Sequence, residues 1–342
     1  MKALQYMGPN VLELREVENP VLKSGEVLVK IRACGICGSD VHGWLGKTGR
    51  RIPPMTMGHE FSGEIAELGA DANRFSVGDR VIVHPVIFCG ECDFCKQGMT
   101  NMCRNKRFFG VMSEDGALAE YLAVPENMLF KMTDNCSFET GAMAEPYAVA
   151  YGAVKKAGDL RGKDVMILGA GMIGLCVLQL VKLGKPASIT VSDLSDKRLE
   201  LAKKLGADYT INSKNEDPLE AVKKYTDGRL MDVTIEAVGI EPTANIAICA
   251  VKPTGTVVWV GLSQRKITID MQEVVNFARK IYGTYIYTFE EFGEVVDILC
   301  SGKLATDALL SGVVSLEEAE QAFKNLLNEP DKYIKIVVDP SK

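Results

Sequence analysis

Between Cys89 and Cys103 the chain reads CGECDFCKQGMTNMC, with four cysteines in fifteen residues. The spacing C-x2-C-x2-C-x7-C offers Cys89, Cys92, Cys95 and Cys103 as four soft donors for one tetrahedral zinc ion. With no coordination position left open, such a site is structural. Gly90 and Gly98 permit the tight turns, and Lys96, Arg104 and Lys106 offset thiolate charge. A redox-active CxxC and four unrelated cysteines are the alternatives, and the joint spacing disfavours both. A second donor set is dispersed along the chain. Cys37 lies in CGICGSDVH and His59 in MGHEFSG. A thiolate and an imidazole make two zinc ligands. Glu60, or a carboxylate from elsewhere, makes a third, and the one favoured from elsewhere is Glu145 in GAMAEPYAVAYGA. A fourth position then stays open for water or substrate, as a catalytic zinc requires. Glu145 also reads as a carboxylate stabilised at a helix N-terminus.

A nucleotide site follows further along. Gly169-Ala170-Gly171-Met172-Ile173-Gly174 is a G-x-G-x-x-G that follows the strand-like DVMIL and opens a helix-like run. Gly169 makes the turn, Gly171 lets the backbone approach a pyrophosphate, and Gly174 lets helix and strand pack closely. Met172 and Ile173 begin the helix whose free N–H groups face the phosphates. Asp193 stands nineteen residues after Gly174, at the end of the next strand. A carboxylate there accepts ribose hydroxyls and repels a 2′-phosphate, which favours NAD over NADP. Lys197 and Arg198 lie close by, so some NADP use stays open, and Arg198 joins the candidate cofactor residues.

The elements that must hold these residues change character near residue 147. Before it, short alternating strands such as EVLVKIRA, EFSGEIAEL, RVIVHPV and ALAEYLAV are separated by turn residues. The opening MKALQYMGPNVLELREV reads as two strands around Gly8-Pro9-Asn10. After it, strands alternate with helices up to about residue 285, the pattern of βαβ units and a buried, doubly wound parallel sheet. The remainder reads as a helix, FGEVVDILCSG, a strand near SGVVS, a helix opened by a capping box at Ser315-Leu316-Glu317-Glu318, and a last strand, YIKIVVD.

At 342 residues the chain has room for two domains. Its net charge of −6 argues against a nucleic-acid or membrane-surface partner. No apolar run approaches membrane-spanning length, and the N-terminus lacks the apolar core of a secretory signal. Ten cysteines in a chain of this kind suit a cytoplasmic location, where thiols stay reduced.

Together, CGICGSDVH, GHEFSG, VGDRV, the four-cysteine loop, DGALAEYLAVP, GAGMIG and Asp193 resemble the zinc-dependent medium-chain alcohol and polyol dehydrogenases over essentially the whole chain. The sorbitol and galactitol-1-phosphate dehydrogenase branches are the most similar. The resemblance implies a GroES-like, β-rich catalytic domain over 1–146 and 286–342, with a Rossmann domain over 147–285 inserted. It implies two zinc ions per chain, NAD, and hydride transfer from a secondary alcohol, a polyol or polyol phosphate, to give a ketone. It matches Glu145 to a glutamate that replaces a cysteine of other alcohol dehydrogenases. It maps Ser39 and His42 onto a proton relay, a task that suits an imidazole titrating near neutrality. Glu60 reads either as a direct ligand or as a neighbouring base that loosens the ion.

The substrate pocket is less determined. The sorbitol branch carries an arginine soon after the glycine matching Gly283, whereas this chain has Tyr285-Ile286-Tyr287. Trp44 and Tyr285 read as pocket walls or as core. Lys47, Arg50 and Arg51 read as a phosphate-facing stretch or as a solvated loop. The resemblance also implies a homodimer or homotetramer paired through a Rossmann sheet edge. Two alternatives remain. One is an L-threonine or short-chain diol dehydrogenase. The other, from a different class, is a non-catalytic zinc-ribbon binding protein, which sits poorly with the presence of Cys37, His59, Glu60, Ser39 and His42.

Overall fold

Alternation in EVLVKIRACG buries Val27, Val29, Ile31 and Ala33 on one face of the strand Glu26–Gly35. In the computed structural model, which describes residues 1–112 and 114–342, this strand organises the β-rich unit. It pairs antiparallel with Glu60–Leu68, Tyr121–Pro125 and Lys335–Val338. The sheet runs Leu129–Lys131, Arg80–Val83, Glu60–Leu68, Glu26–Gly35, Lys335–Val338, Leu310–Val314. Register matters here. Gly35 stands opposite both Glu60 and Val337, so one end of the ladder gathers segments from three distant parts of the chain. A second sheet combines Val11–Glu16, Lys2–Gly8 and Met55–Thr56.

By contacts the chain divides into Met1–Glu145 with Thr288–Lys342, and Pro146–Tyr287. The second unit is a parallel sheet of six strands, ordered Tyr209–Asn212, Ser188–Asp193, Asp164–Leu168, Met231–Glu236, Val251–Trp259, Lys280–Gly283. Val165 to Leu168 are buried on both faces, which explains their uninterrupted apolar run. The strand order reverses on either side of Asp164–Leu168, and that switch point is where open sheets of this kind bind ligands. No helix among the described residues is long and apolar enough to cross a membrane.

Two local expectations need correction. The helix expected from Ser315 begins at Ala319 and runs to Asn328. Only half of the capping box forms: the Ser315 N–H donates to the Glu318 carboxylate at 3.0 Å. The intervening residues wind as a turn that sinks Leu316 into the core. Likewise ALAEYLAV becomes strand only from Tyr121. Before that, Ala117 and Leu118 donate to the carbonyls of Gly58 and Met57, and the Leu118 carbonyl accepts from Leu4.

His84, the third histidine, is 1% exposed and ringed by Phe88, Phe289 and Phe292 at 5.0–6.2 Å. Burial pulls its pKa down to about 3, against a weaker opposing hydrogen bond at Val86. At pH 7 it is neutral in the folded chain and mostly neutral in the unfolded one. Below about pH 6.5 the unfolded chain takes up a proton that the folded chain refuses. Stability should therefore fall by up to about 1.4 kcal/mol per pH unit as pH drops from about 6.5 toward 3. In His84→Leu this component is absent, so the stability difference between pH 7.5 and pH 5 should shrink relative to wild type. Urea unfolding at the two pH values measures it, and an unchanged difference counts against the assignment.

Candidate metal centre and nucleotide site

Cys37 stands two residues past the end of the central strand Glu26–Gly35 and caps the short helix Gly38–Trp44. Its Sγ accepts the Ser39 N–H at 3.5 Å, and its own N–H donates to the Asp40 carboxylate at 3.2 Å. Glu60 begins the neighbouring strand, with His59 just before it. Cys37, His59 and Glu60 bring one ligand atom each to within 4.8 Å of one another. Gly35 is required for this convergence, since a Cβ there would lie 2.2 Å from Glu60 Oε2.

The surrounding charges hold the three residues in place. His59 Nδ1 is 3.3 Å from Asp40 Oδ1, an arrangement that leaves the other imidazole nitrogen for a metal. Burial favours the neutral form of Asp40, but His59 and Arg51 outweigh it and hold the acid well below the usual carboxylate range. Burial likewise opposes a charge on His59, and Asp40 outweighs it. A negative group that favours a proton on the imidazole equally favours a dication beside it. Glu60 Oε2 accepts from Lys335 Nζ at 2.6 Å, and Lys335 donates also to the Ile36 carbonyl at 3.0 Å. Against strong burial, Glu60, Cys37 and Glu145 keep Lys335 protonated. Glu60 Oε1 is buried with no hydrogen-bond partner among the described residues. A buried carboxylate oxygen in that position is costly unless a cation meets it. One sulfur, one imidazole nitrogen and one such oxygen suit zinc.

Glu145 is buried in the first turn of Ala144–Ala157 and acts electrostatically on Lys335, but it is not among the three clustered ligand atoms. Ser39 and His42 are exposed, one helical turn apart on Gly38–Trp44. Trp44 belongs to the core, edge-on to Phe323 at 6.0 Å. Lys47 and Arg50 are exposed, whereas Arg51 is buried against Asp40 at 2.6 Å. Neither expectation for Arg51, a solvated loop or a phosphate-facing charge, therefore holds. Reading the sequence missed Asp40, Arg51 and Lys335 as supports. The only local signal was a lysine set between isoleucines in YIKIVVD.

The four loop cysteines also gather, with their ligand sulfurs inside the same 4.8 Å limit. Cys103 and Cys89 are 3.5 Å apart, and Cys89 and Cys95 3.9 Å. Backbone N–H groups of Cys95 and Arg104 pull the Cys92 thiol down, while burial pushes the Cys95 thiol up. A dication would ionise both. Arg104 pairs side-on with Asp93 at 2.9 and 3.1 Å and also interacts electrostatically with Cys92, in line with its expected offset of thiolate charge. The Phe289 N–H donates to Thr100 Oγ1 at 2.8 Å and ties the loop to the helix Phe289–Cys300.

In the parallel-sheet unit, Gly169 adopts φ +99° and its N–H donates to the Ser192 carbonyl at 2.7 Å. A Cβ at Gly174 would lie 1.8 Å from the Gly169 carbonyl, so only glycine permits this approach of helix to turn. Gly171 caps Met172–Leu183, and Met172 and Ile173 form its partly exposed first turn. The space beside Gly171 is bounded by Arg198 Nη1, 3.9 Å from where a Cβ would stand. Asp193 accepts from Ala170 at 2.6 Å through one oxygen, and from Leu194 and Ser195 at 2.8 and 3.0 Å through the other. It thereby fastens the glycine turn to the adjacent strand end, a role its sequence position did not announce.

A zinc-ligating β-rich unit and a Rossmann unit define a zinc-dependent dehydrogenase. Residues 23–134 match the alcohol dehydrogenase GroES-like domain and residues 173–301 the zinc-binding dehydrogenase family. Sorbitol dehydrogenase of Bacillus subtilis (strain 168) is 33% identical over 100% of this chain and 98% of its own length. L-Threonine 3-dehydrogenase of Pyrococcus horikoshii is 39% identical over 91% of each. The crystal structure of galactitol-1-phosphate dehydrogenase from Escherichia coli superposes with a TM-score of 0.93 at 28% identity, covering 99% of this chain and 100% of that one. The chain belongs to the zinc-dependent medium-chain dehydrogenases, enzymes that use zinc and a nicotinamide dinucleotide.

Gly35→Ala should displace the Glu60 carboxylate and lower zinc from two per chain toward one, with the four-cysteine site still loaded. Elemental analysis of the purified variant checks this, and full occupancy of both sites would contradict it.

Proposed function

We propose that this chain oxidises the secondary alcohol of a polyol or polyol phosphate to a ketone, with NAD as hydride acceptor. The observation that carries the reading is the Cys37–His59–Glu60 cluster, whose three donors would leave a fourth zinc position for a substrate oxygen. Bound there, zinc would supply the Lewis acidity that makes the substrate hydroxyl more acidic, and a bound nicotinamide would supply the hydride acceptor. Cys37, His59 and Glu60 hold the ion in this reading, and Glu145 contributes negative charge from the first turn of its helix. Asp40 and Lys335 fix the orientation of His59 and Glu60. The hydroxyl proton passes to the Ser39 hydroxyl and onward toward His42, one turn away and open to solvent. Cys89, Cys92, Cys95 and Cys103 hold a second, structural zinc. Gly169, Gly171, Gly174 and the N-terminus of Met172–Leu183 receive the pyrophosphate, with Arg198 beside it and Asp193 facing the ribose.

L-Threonine is the second substrate reading. The 39% relative acts on it, and Tyr285-Ile286-Tyr287 stands where the sorbitol branch has its arginine. We further propose a homo-oligomer. Tyr282 on the edge strand Lys280–Gly283, and Leu262, Met271 and Val275 in the segment that leads to it, are exposed apolar residues. A cytoplasmic location accords with ten cysteines of which none forms a disulfide.

A panel of polyols, polyol phosphates, short diols and L-threonine, followed by NADH absorbance, separates the substrate readings. The greatest kcat/KM is expected on a polyol or its phosphate, and a clear preference for threonine overturns that choice. NAD should exceed NADP by at least about tenfold in kcat/KM, given the carboxylate at 193. Cys37→Ser should lose more than about 100-fold in kcat while NAD binding persists by calorimetry. Met271→Glu with Val275→Glu should shift the elution mass of the oligomer downward, and an unaltered mass argues against this interface.

A further inference from the structure

Arg51 sits among the site's supports without touching any metal-ligand atom. Its Nη2 lies 2.6 Å from Asp40 Oδ1 and 3.3 Å from Ser39 Oγ. We infer that Arg51 is a positioning residue for the proton path: it fixes the Ser39 hydroxyl with the same nitrogen that anchors Asp40 behind His59. This rests on the alcohol oxidation proposed above and extends it to the residue that orients the first proton acceptor.

A guanidinium carries donors only. Its N–H toward Ser39 therefore occupies a lone pair of the hydroxyl oxygen and cannot receive that hydroxyl's proton. The Ser39 O–H is left to point away from Arg51, where it can hand a proton onward while its remaining lone pair accepts one. A serine on an exposed helix face would otherwise rotate freely.

Two further features show a place built for this arginine. A Cβ at Gly43 would stand 2.6 Å from Arg51 Cγ, so the helix Gly38–Trp44 forgoes a side chain where the arginine stem passes. The Arg51 side chain is 3% exposed, and its Nε is buried with no partner among the described residues. Burying that donor is unfavourable, and fold stability alone gives no return for it. A lysine could neutralise Asp40, but its ammonium turns freely on a flexible stem, whereas the planar guanidinium fixes the directions of the two N–H donors on Nη2.

The test is a double-mutant cycle on the zinc-loaded, full-length enzyme with its best substrate. Arg51→Lys, Ser39→Ala and the double variant are compared in kcat, KM and zinc content. Ser39→Ala is expected to lower kcat by about 100-fold, as loss of a positioned proton acceptor does. Arg51→Lys should lower kcat by about tenfold, with KM within about twofold and two zinc ions retained. Its solvent deuterium isotope effect on kcat should rise, because proton transfer slows. The double variant should be no slower than Ser39→Ala within about twofold, since Arg51 then has no hydroxyl to orient. If the two losses multiply, Arg51 serves only as the counterion of Asp40 and the inference fails while the relay stands. If Ser39→Ala turns over like wild type, the relay reading fails and this inference with it. Should Arg51→Lys not fold, Gly43→Ala takes its place in the cycle. It pushes the arginine stem aside without removing a polar group, and the same non-multiplying loss is expected; wild-type kcat in that variant overturns the inference.

Discussion

Four charged side chains, Asp40, Arg51, Glu60 and Lys335, are each at most 3% exposed, and they form two ion pairs at one end of the central sheet. Buried charges of this kind persist only when each is matched, because an isolated one loses several kcal/mol of hydration. Every element around the metal centre is arranged to meet that condition. Arg51 answers Asp40, and Asp40 steadies His59. Lys335 answers one oxygen of Glu60 and leaves the other without a donor. The pairs confer little net stability. Their contribution is geometric, since a ligand whose outer atoms are already committed has few ways to turn away from an ion.

Glycines make that concentration of charge possible. Gly35 leaves space for the Glu60 carboxylate, and Gly43 leaves space for the stem of Arg51. In the nucleotide unit Gly174 does the same for the Gly169 carbonyl. In all three places a methyl group would fall well inside contact distance of a group the site depends on. The absence of a side chain is therefore as specific a signal here as the presence of a ligand. Asp193 shows a related economy. The Asp193 carboxylate accepts from three backbone N–H groups, so the glycine turn and the end of the adjacent strand share one anchor.

The cysteine loop solves a different problem. It is short of apolar residues, and its own structure is a four-residue helix and one 3-10 turn. A metal ion held by the four converging sulfurs would supply what a hydrophobic core cannot in so small a lobe. Thr100 and Phe88 then connect it to the C-terminal segment, through the Phe289 N–H and the aromatic cluster around His84. The C-terminal strand Lys335–Val338 in turn delivers Lys335 to Glu60.

Much of this was legible in the residues themselves. Donor types and short spacings name the cysteine site, because all four ligands lie within fifteen residues and local geometry suffices. The glycine motif names the nucleotide turn for the same reason, and the change from period-two alternation to apolar runs separates the β-rich unit from the parallel sheet. The capping box at Ser315 misled by three residues, since burial of Leu316 outweighed local capping preference. Trp44, open between pocket wall and core, proved to be core, and Arg51, open between solvated loop and phosphate-facing charge, proved to be a support, because burial depends on what packs against a segment from afar. The sequence by itself determined which atoms can bind metal and phosphate. Only the tertiary structure decided that Asp40, Arg51 and Lys335 orient them: Lys335 lies 275 positions from Glu60, and pairing across that separation is set by strand register rather than by any local pattern.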